Sequence, residues 1–147
     1  MESFKSELTI ISLKDDLSKV ELPLMQSKLS AGFPSPAEEY EEGKLDLNEY
    51  LIDHPAATFC VRITGDSMKD AGILEGSVVI VDRSLEAQHK DIIVAVLNGE
   101  LTIKRLYHLG GQVMLTPENN DYAPIEVTED DSFSIWGVVT GMVHRFK

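Results

Sequence analysis

The chain is poor in cysteine: Cys60 is the only one among 147 residues. One thiol cannot form an internal disulfide, so the sequence lacks the framework that stabilises many small secreted proteins. A reducing compartment suits such a chain, and we therefore expect it in the cytoplasm. Cys60 stands within an apolar run, where a small buried side chain is expected rather than a catalytic thiol.

Long apolar runs are also missing. No stretch approaches the ~18 consecutive apolar residues of a membrane-spanning helix, and the acidic start of the chain does not resemble a signal peptide. We therefore expect no membrane association.

The sequence lacks the usual signatures of metal and cofactor sites. Its histidines do not have metal-ligand spacing and have no cysteine cluster to join. No glycine-rich loop of the type that cradles phosphate groups is present. We therefore predict neither a metal nor a cofactor. The histidines are His54, His89, His108 and His144.

Basic residues are scarce: 13 lysines and arginines stand against 25 aspartates and glutamates, a formal net charge of −12 at pH 7. Contacts to phosphate groups supply much of the affinity of proteins for nucleic acid. A chain this acidic, with no basic stripe, is not expected to bind DNA directly. Any connection to DNA is expected to run through a protein partner.

What the sequence does contain is a series of short, apolar, alternating runs separated by turn residues. Its length fits one domain, and 43% hydrophobic with 26% charged residues is ordinary for a globular protein. Short strands at this spacing predict a compact, mainly β domain of coiled sheets. Strands are predicted over residues 8–13, 58–64, 77–82, 91–97, 101–107, 113–116 and 134–146, and a short helix capped by Asp46 over residues 46–52.

Residues 64–68, Thr-Gly-Asp-Ser-Met, follow one of these predicted strands. Gly65 permits a sharp turn that leaves Ser67 projecting from the strand end. A serine hydroxyl is a weak nucleophile until a neighbouring base takes its proton. No histidine–aspartate pair is evident nearby, so a nucleophilic Ser67 would need a base from elsewhere in the chain. Without such a base the Gly-x-Ser segment is an ordinary turn.

The candidate base lies on the return strand of a predicted hairpin. Asn98-Gly99 between two apolar runs is a strong hairpin signal because both turn residues need positive φ. The return strand carries Lys104 and Arg105 on opposite faces, and alternation does not decide which of them is buried. Only lysine can act as a base. For that role its pKa must fall from ~10.4 to about 7–8, roughly 4 kcal/mol of differential solvation.

Several motifs occur in a fixed order around these two residues. They are AGFPSPA at 31–37, DLNEYLI at 46–52, GDSMKD at 65–70, GILEGSVVIVD at 72–82, GELTIKRL at 99–106, LTPEN at 115–119, YAPI at 122–125 and GVV at 137–139. In this order they resemble the LexA/UmuD family of self-cleaving peptidases. The resemblance covers the chain from about residue 31 to its end, and it favours the mutagenesis branch of the family over the repressors.

The resemblance implies a LexA/signal-peptidase-like fold with short helices, preceded by an extended arm. Residues 1–31 would be the cleavable arm and residues 32–147 the peptidase and dimerisation domain. The family mechanism assigns Ser67 as nucleophile, Lys104 as general base, and the backbone N–H groups of Asp66 and Ser67 as oxyanion donors. The bond that is cut would be Ala31–Gly32.

The resemblance also implies partners. Self-cleavage in this family is stimulated by RecA filaments on single-stranded DNA after DNA damage. The shortened homodimer then joins the UmuC subunit to form a translesion polymerase.

Three alternatives belong to functional classes other than a self-cleaving mutagenesis protein. A signal peptidase would need a membrane anchor, which the sequence lacks. A LexA-like regulator would need a DNA-binding domain, for which residues 1–30 are too few. A purely binding subunit with an inactive serine–lysine pair would remain uncut between Ala31 and Gly32.

Overall fold

The structure is a computed structural model, and it describes residues 8–14, 17–19, 21–25 and 41–147. The predicted scissile peptide, Ala31–Gly32, lies outside the described residues. The described residues of 8–13 and 54–147 form one compact unit, and those of 14–53 form another.

Alternating apolar residues build an eight-stranded antiparallel sheet in the larger unit. Its strands are β1 Leu8–Ser12, β4 Thr58–Ile63, β5 Val78–Asp82, β6 Ile92–Leu97, β7 Glu100–Leu109, β8 Gln112–Thr116, β9 Ile125–Val127 and β10 Phe133–Val143. Their order across the sheet is β1-β4-β5-β10-β6-β7-β8-β9. The mainly β prediction is confirmed, and 3-10 turns at Pro55–Ala57 and Lys69–Ala71 join the strands.

The smaller unit contains the strands β2, Glu21–Met25, and β3, Glu41–Asp46, which pair antiparallel. The helix α1, Leu47–Leu51, follows β3 directly. The Asp46 carboxylate accepts hydrogen bonds from the backbone N–H groups of Asn48 (3.0 Å) and Glu49 (3.5 Å), so the predicted cap is present. In the described part of the chain, no helix has the length and hydropathy needed to cross a membrane.

The hairpin of β6 and β7 shows how alternation builds the core. Asn98 and Gly99 have φ of 50° and 83°, as the predicted turn requires. Val94 and Ile103 pair across the hairpin and belong to one buried cluster, which also contains Met68. Residues of opposite parity, Ile93 and Leu106, belong to a second buried cluster. Successive side chains on each strand therefore serve different cores.

Strand β10 is shared between two neighbours. It pairs with β6 through residues 133–138 and with β5 through residues 138–143, and the register shifts between 135 and 137 and between 139 and 141. Irregularities of this kind bend a strand and increase its twist. Gly137 lies at the first of them, where the backbone of β5 approaches closely.

Replacing Gly137 with alanine is expected to destabilise the protein by about 1–3 kcal/mol. A Cβ atom there would lie 2.7 Å from Val81 Cγ1 and 2.9 Å from the Asp82 carbonyl oxygen. The backbone of Asp82 cannot move away without a loss of stability. Urea denaturation followed by circular dichroism measures the change. Ser134→Ala, at an exposed position of the same strand, is the control and should shift stability by less than about 0.5 kcal/mol. Equal stability of the two variants would contradict the close approach.

The Asp82 carboxylate ends β5 in a buried network. It is 3% exposed. Ser84 donates its backbone N–H (2.8 Å) and its hydroxyl (2.6 Å) to Oδ1, and His54 Nδ1 lies 2.6 Å from Oδ2. Burial alone raises the pKa of Asp82, but the hydrogen bonds from Ser84 and His54 outweigh it and hold the pKa below its ordinary value of 3.8.

This depressed pKa predicts an acid-labile contribution to stability. The folded state binds fewer protons at Asp82 than the unfolded state does, so the contribution is present above pH 3.8 and is lost as pH falls through the folded-state pKa. The Asp82→Asn substitution should lower the free energy of unfolding by about 1–3 kcal/mol at neutral pH. Acidification should then lower the stability of this variant by less than it lowers the stability of the natural chain. Urea titrations from neutral to acid pH test this, with Asp130→Asn at an exposed carboxylate controlling for loss of one charge.

Candidate active site

Ser67 lies in the turn that follows β4. Gly65 has a φ of +90°, which lets the chain turn directly after the strand. Met68 anchors the turn because its side chain is 1% exposed and packs in the first core cluster. Ser67 is itself 5% exposed. The Ser67 hydroxyl is therefore buried just beyond the end of β4, and the packing of Met68 in the core holds the turn in place.

Lys104 is half-buried near the middle of β7, 37 residues further along the chain. Its Nζ lies 3.4 Å from Ser67 Oγ. The same nitrogen donates to Thr102 Oγ1 at 2.9 Å and to the carbonyl oxygen of Ile103 at 3.0 Å. Thr102 precedes Lys104 by two residues and so shares its face of the strand.

Three oxygen atoms surround the Lys104 amine. Thr102 Oγ1 and the Ile103 carbonyl accept hydrogen bonds from it, and Ser67 Oγ is the third acceptor, at 3.4 Å. The amine therefore lies within reach of the serine hydroxyl, which is the geometry that general-base activation of a serine requires.

A second loop, residues 118–122, holds the serine turn in place. The backbone N–H of Asp70 donates to the Glu118 carbonyl (2.9 Å), and Asn119 Nδ2 donates to the Asp66 carbonyl (2.9 Å). The Tyr122 hydroxyl donates to Asp66 Oδ1 at 2.8 Å. The serine turn is therefore tied to this loop on both sides of Ser67.

Arg105 connects the same loop to the lysine strand. Its guanidinium donates to the Glu118 carboxylate and, at 2.6 Å, to the Lys90 carbonyl. Arg105 and Glu118 are both about one-quarter exposed, so this ion pair is better shielded from water than a surface pair. Arg105 thereby fixes β7, which carries Lys104, to the loop at 118–122, which binds the residues on both sides of Ser67.

The sequence-predicted residues fall into two groups. Ser67 and Lys104 lie together, and the backbone of Asp66 adjoins them. Ala31 and Gly32 lie outside the described residues, so their relation to Ser67 stays a prediction.

Three further residues of the site were not predicted: Thr102, Asn119 and Tyr122. Thr102 carries a signal, because it stands two residues before Lys104 on the same strand face. Asn119 and Tyr122 belong to the motifs at 115–119 and 122–125, but neither residue was assigned a role in the site from the sequence. Among the described residues, no group of three or more His, Cys, Asp or Glu side chains is placed to hold a metal ion.

The chain is similar to known proteins over most of its length. A family model described as Peptidase S24-like matches residues 23–140. The chain therefore belongs to the S24 family of self-cleaving serine peptidases. Within the family it groups with the UmuD-like proteins of SOS mutagenesis, as its relatives indicate.

Two of those relatives match along most of their length. MucA of Salmonella typhimurium is 46% identical over 120 residues, covering 81% of this chain and 82% of MucA. ImpA of Salmonella typhimurium is 44% identical over 125 residues, covering 85% of each. The LexA repressor of Acidithiobacillus ferrooxidans is 45% identical over 125 residues, which cover 83% of this chain but only 60% of that protein.

Proposed function

We propose that this chain cuts its own backbone between Ala31 and Gly32, with Ser67 as nucleophile and Lys104 as general base. The observation that carries the proposal is the 3.4 Å contact between Lys104 Nζ and the buried Ser67 Oγ. Membership of a family of self-cleaving serine peptidases supports it.

The reaction begins with transfer of the Ser67 hydroxyl proton to neutral Lys104. Ser67 Oγ attacks the carbonyl carbon of Ala31, and the carbon–nitrogen bond to Gly32 breaks. Protonated Lys104 gives its proton to the departing Gly32 nitrogen, which becomes a free amine. Lys104 then takes a proton from a water molecule, whose oxygen attacks the ester carbon. As the bond to Ser67 Oγ breaks, Lys104 returns that proton to Ser67, and the new Ala31 carboxyl group ionises to the carboxylate.

Backbone N–H groups of Asp66 and Ser67 stabilise the negative oxygen that forms on the Ala31 carbonyl. Such preorganised donors supply a large part of the rate enhancement in acyl transfer, with one donor worth about 100–1,000-fold.

The residues around the proposed bond suit this substrate role. Alanine and glycine offer little steric obstruction to attack on the Ala31 carbonyl, and glycine permits backbone twist. Pro34 and Pro36 keep the following residues extended and out of a helix. A segment of this kind fits an extended peptide approaching a buried serine.

The biological role that we propose is that of a cytoplasmic SOS mutagenesis subunit. RecA filaments on single-stranded DNA stimulate the cut by favouring the conformation with the arm seated at Ser67. The shortened chain, beginning at Gly32, acts as a homodimer with the UmuC polymerase subunit in translesion synthesis. With a net charge of −12, its connection to DNA runs through these partners.

Mass spectrometry tests the proposal on the purified full chain. Incubation at alkaline pH, and at neutral pH with RecA filaments, should yield two products, residues 1–31 and residues 32–147. An intact chain under both conditions would favour a non-cleaving binding subunit. Retention of the chain on DNA at low salt would instead favour a DNA-binding regulator.

Ser67→Ala and Lys104→Arg should each reduce cleavage by on the order of 10⁴-fold or more. The first removes the nucleophile, and the second keeps a positive charge that cannot accept a proton. The fraction of chain cut is followed by gel electrophoresis and mass spectrometry. Ser134→Ala and Lys69→Arg, at exposed positions, are the matched controls and should cut at the normal rate. Continued cutting by Ser67→Ala would require another nucleophile.

The first-order rate of cleavage should increase with pH. Only neutral Lys104 accepts the Ser67 proton, and the neutral fraction of an amine increases as pH rises. The rate is measured without RecA over a series of buffers from pH 6 to pH 10, all at one ionic strength. A flat profile would contradict the role of Lys104 as the base.

A further inference from the structure

Asn119 is a buried polar residue that the reaction as proposed does not use. Its side chain is 4% exposed and is one of the four buried polar or charged residues in the described part of the chain, with Ser67, Ser77 and Asp82. A buried carboxamide is costly unless its donors and acceptor are satisfied. The contacts that satisfy it therefore indicate what the side chain does.

Two hydrogen bonds fix the orientation of this carboxamide. Its Oδ1 accepts from the backbone N–H of Asp121 at 2.9 Å, and its Nδ2 donates to the carbonyl oxygen of Asp66 at 2.9 Å. An N–H group needs an acceptor and a carbonyl needs a donor, so the opposite placement of oxygen and nitrogen would break both bonds. The loop itself is closed by the Tyr122 N–H, which donates to the Asn119 carbonyl (3.1 Å).

The Asp66 carbonyl that accepts from Asn119 belongs to the peptide that joins Asp66 to Ser67. No described peptide bond is cis. In a trans peptide the carbonyl and the N–H point in opposite directions within one rigid plane. Holding the Asp66 carbonyl towards Asn119 therefore holds the Ser67 N–H facing away from Asn119. That N–H is one of the two oxyanion donors in the proposed reaction.

Other contacts to the turn act elsewhere on it. Glu118 binds the backbone of Asp70, and Tyr122 binds the side chain of Asp66. The Asp66 carbonyl also accepts from the Lys69 N–H, at 3.2 Å, within the turn itself. Asn119 thus contacts the Asp66–Ser67 peptide plane itself, and it does so from outside the turn.

We propose that Asn119 is a positioning residue, which orients the Asp66–Ser67 peptide so that the Ser67 N–H meets the oxygen of the attacked carbonyl. The inference rests on the proposed self-cleavage and adds a residue to it. Asn119 does not touch the reacting atoms in this account. It acts through the peptide plane, 53 residues away in sequence.

Two substitutions remove the donor to Asp66 while keeping the local turn. Asn119→Asp is nearly isosteric and retains an oxygen to accept from the Asp121 N–H. Asn119→Ser is neutral and retains a hydroxyl that can accept locally, but it is too short to reach Asp66. Asn120→Asp, at the exposed neighbouring asparagine, is the control for added charge in the same loop.

The test is the first-order rate of self-cleavage of each full chain against pH, with thermal melting of the same samples. Both Asn119 variants should melt cooperatively above the assay temperature. Both should cleave about 10–100-fold more slowly than the natural chain at every pH, since a displaced donor costs up to that much. The midpoint of the pH profile should not move, because Lys104 keeps its partners. Asn120→Asp should cleave at the natural rate.

Each other outcome has a definite meaning. Natural rates in both Asn119 variants would overturn the positioning role and leave self-cleavage standing. A slow Asn119→Asp with a normal Asn119→Ser would assign the effect to charge, and a shifted midpoint would assign it to the base; either overturns the proposal. Unfolding of both variants would make Asn119 a structural residue. No cleavage by the natural chain would overturn both this inference and the proposed function.

Discussion

The hydrogen bonds of the Lys104 amine are the constraint on which the site depends. Thr102 Oγ1 and the Ile103 carbonyl lie on its own strand, whereas Ser67 Oγ comes from a turn 37 residues earlier. A strand fixes the first two partners automatically, because they are local. The third needs the turn after β4 to be held against β7. The loop at 118–122 holds the turn in that position through its hydrogen bond to Asp66, and Arg105 connects this loop to β7 through its ion pair with Glu118.

This arrangement buries Ser67 and Asn119 and half-buries Lys104, and each of these side chains has a hydrogen-bond partner. No buried side-chain nitrogen or oxygen in the described part of the chain lacks a hydrogen bond. Satisfied polar groups in such a site specify one geometry, since losing a single partner leaves another group buried and unpaired. Asn119 exemplifies this, because its two bonds require one orientation of the amide.

Local signals in the sequence predicted much of the fold, whereas the pairing of Ser67 with Lys104 was predicted from the family resemblance. Asn98-Gly99 predicted the hairpin, and alternation predicted most strands of the large sheet. Alternation did not choose between Lys104 and Arg105, and the physical reason is that both are half-buried on opposite faces with their own partners. Strands β2, β3 and β9 were not predicted, because they are short and carry weak alternation. The contact of Asn119 with Asp66 spans 53 residues and leaves no local pattern.

Strand β1 gives the proposed cut a consequence beyond the broken bond. It pairs with β4 along the sheet edge, and its Leu8 side chain is 7% exposed in the first core cluster. In the intact chain this pairing is intramolecular and benefits from a high effective concentration. After a cut at Ala31–Gly32 the same strand would be a separate peptide, whose retention varies with dilution. Dissociation of β1 would expose the backbone hydrogen-bond donors and acceptors of β4. Hydrolysis of one bond would thus create a sheet edge that can pair with another strand.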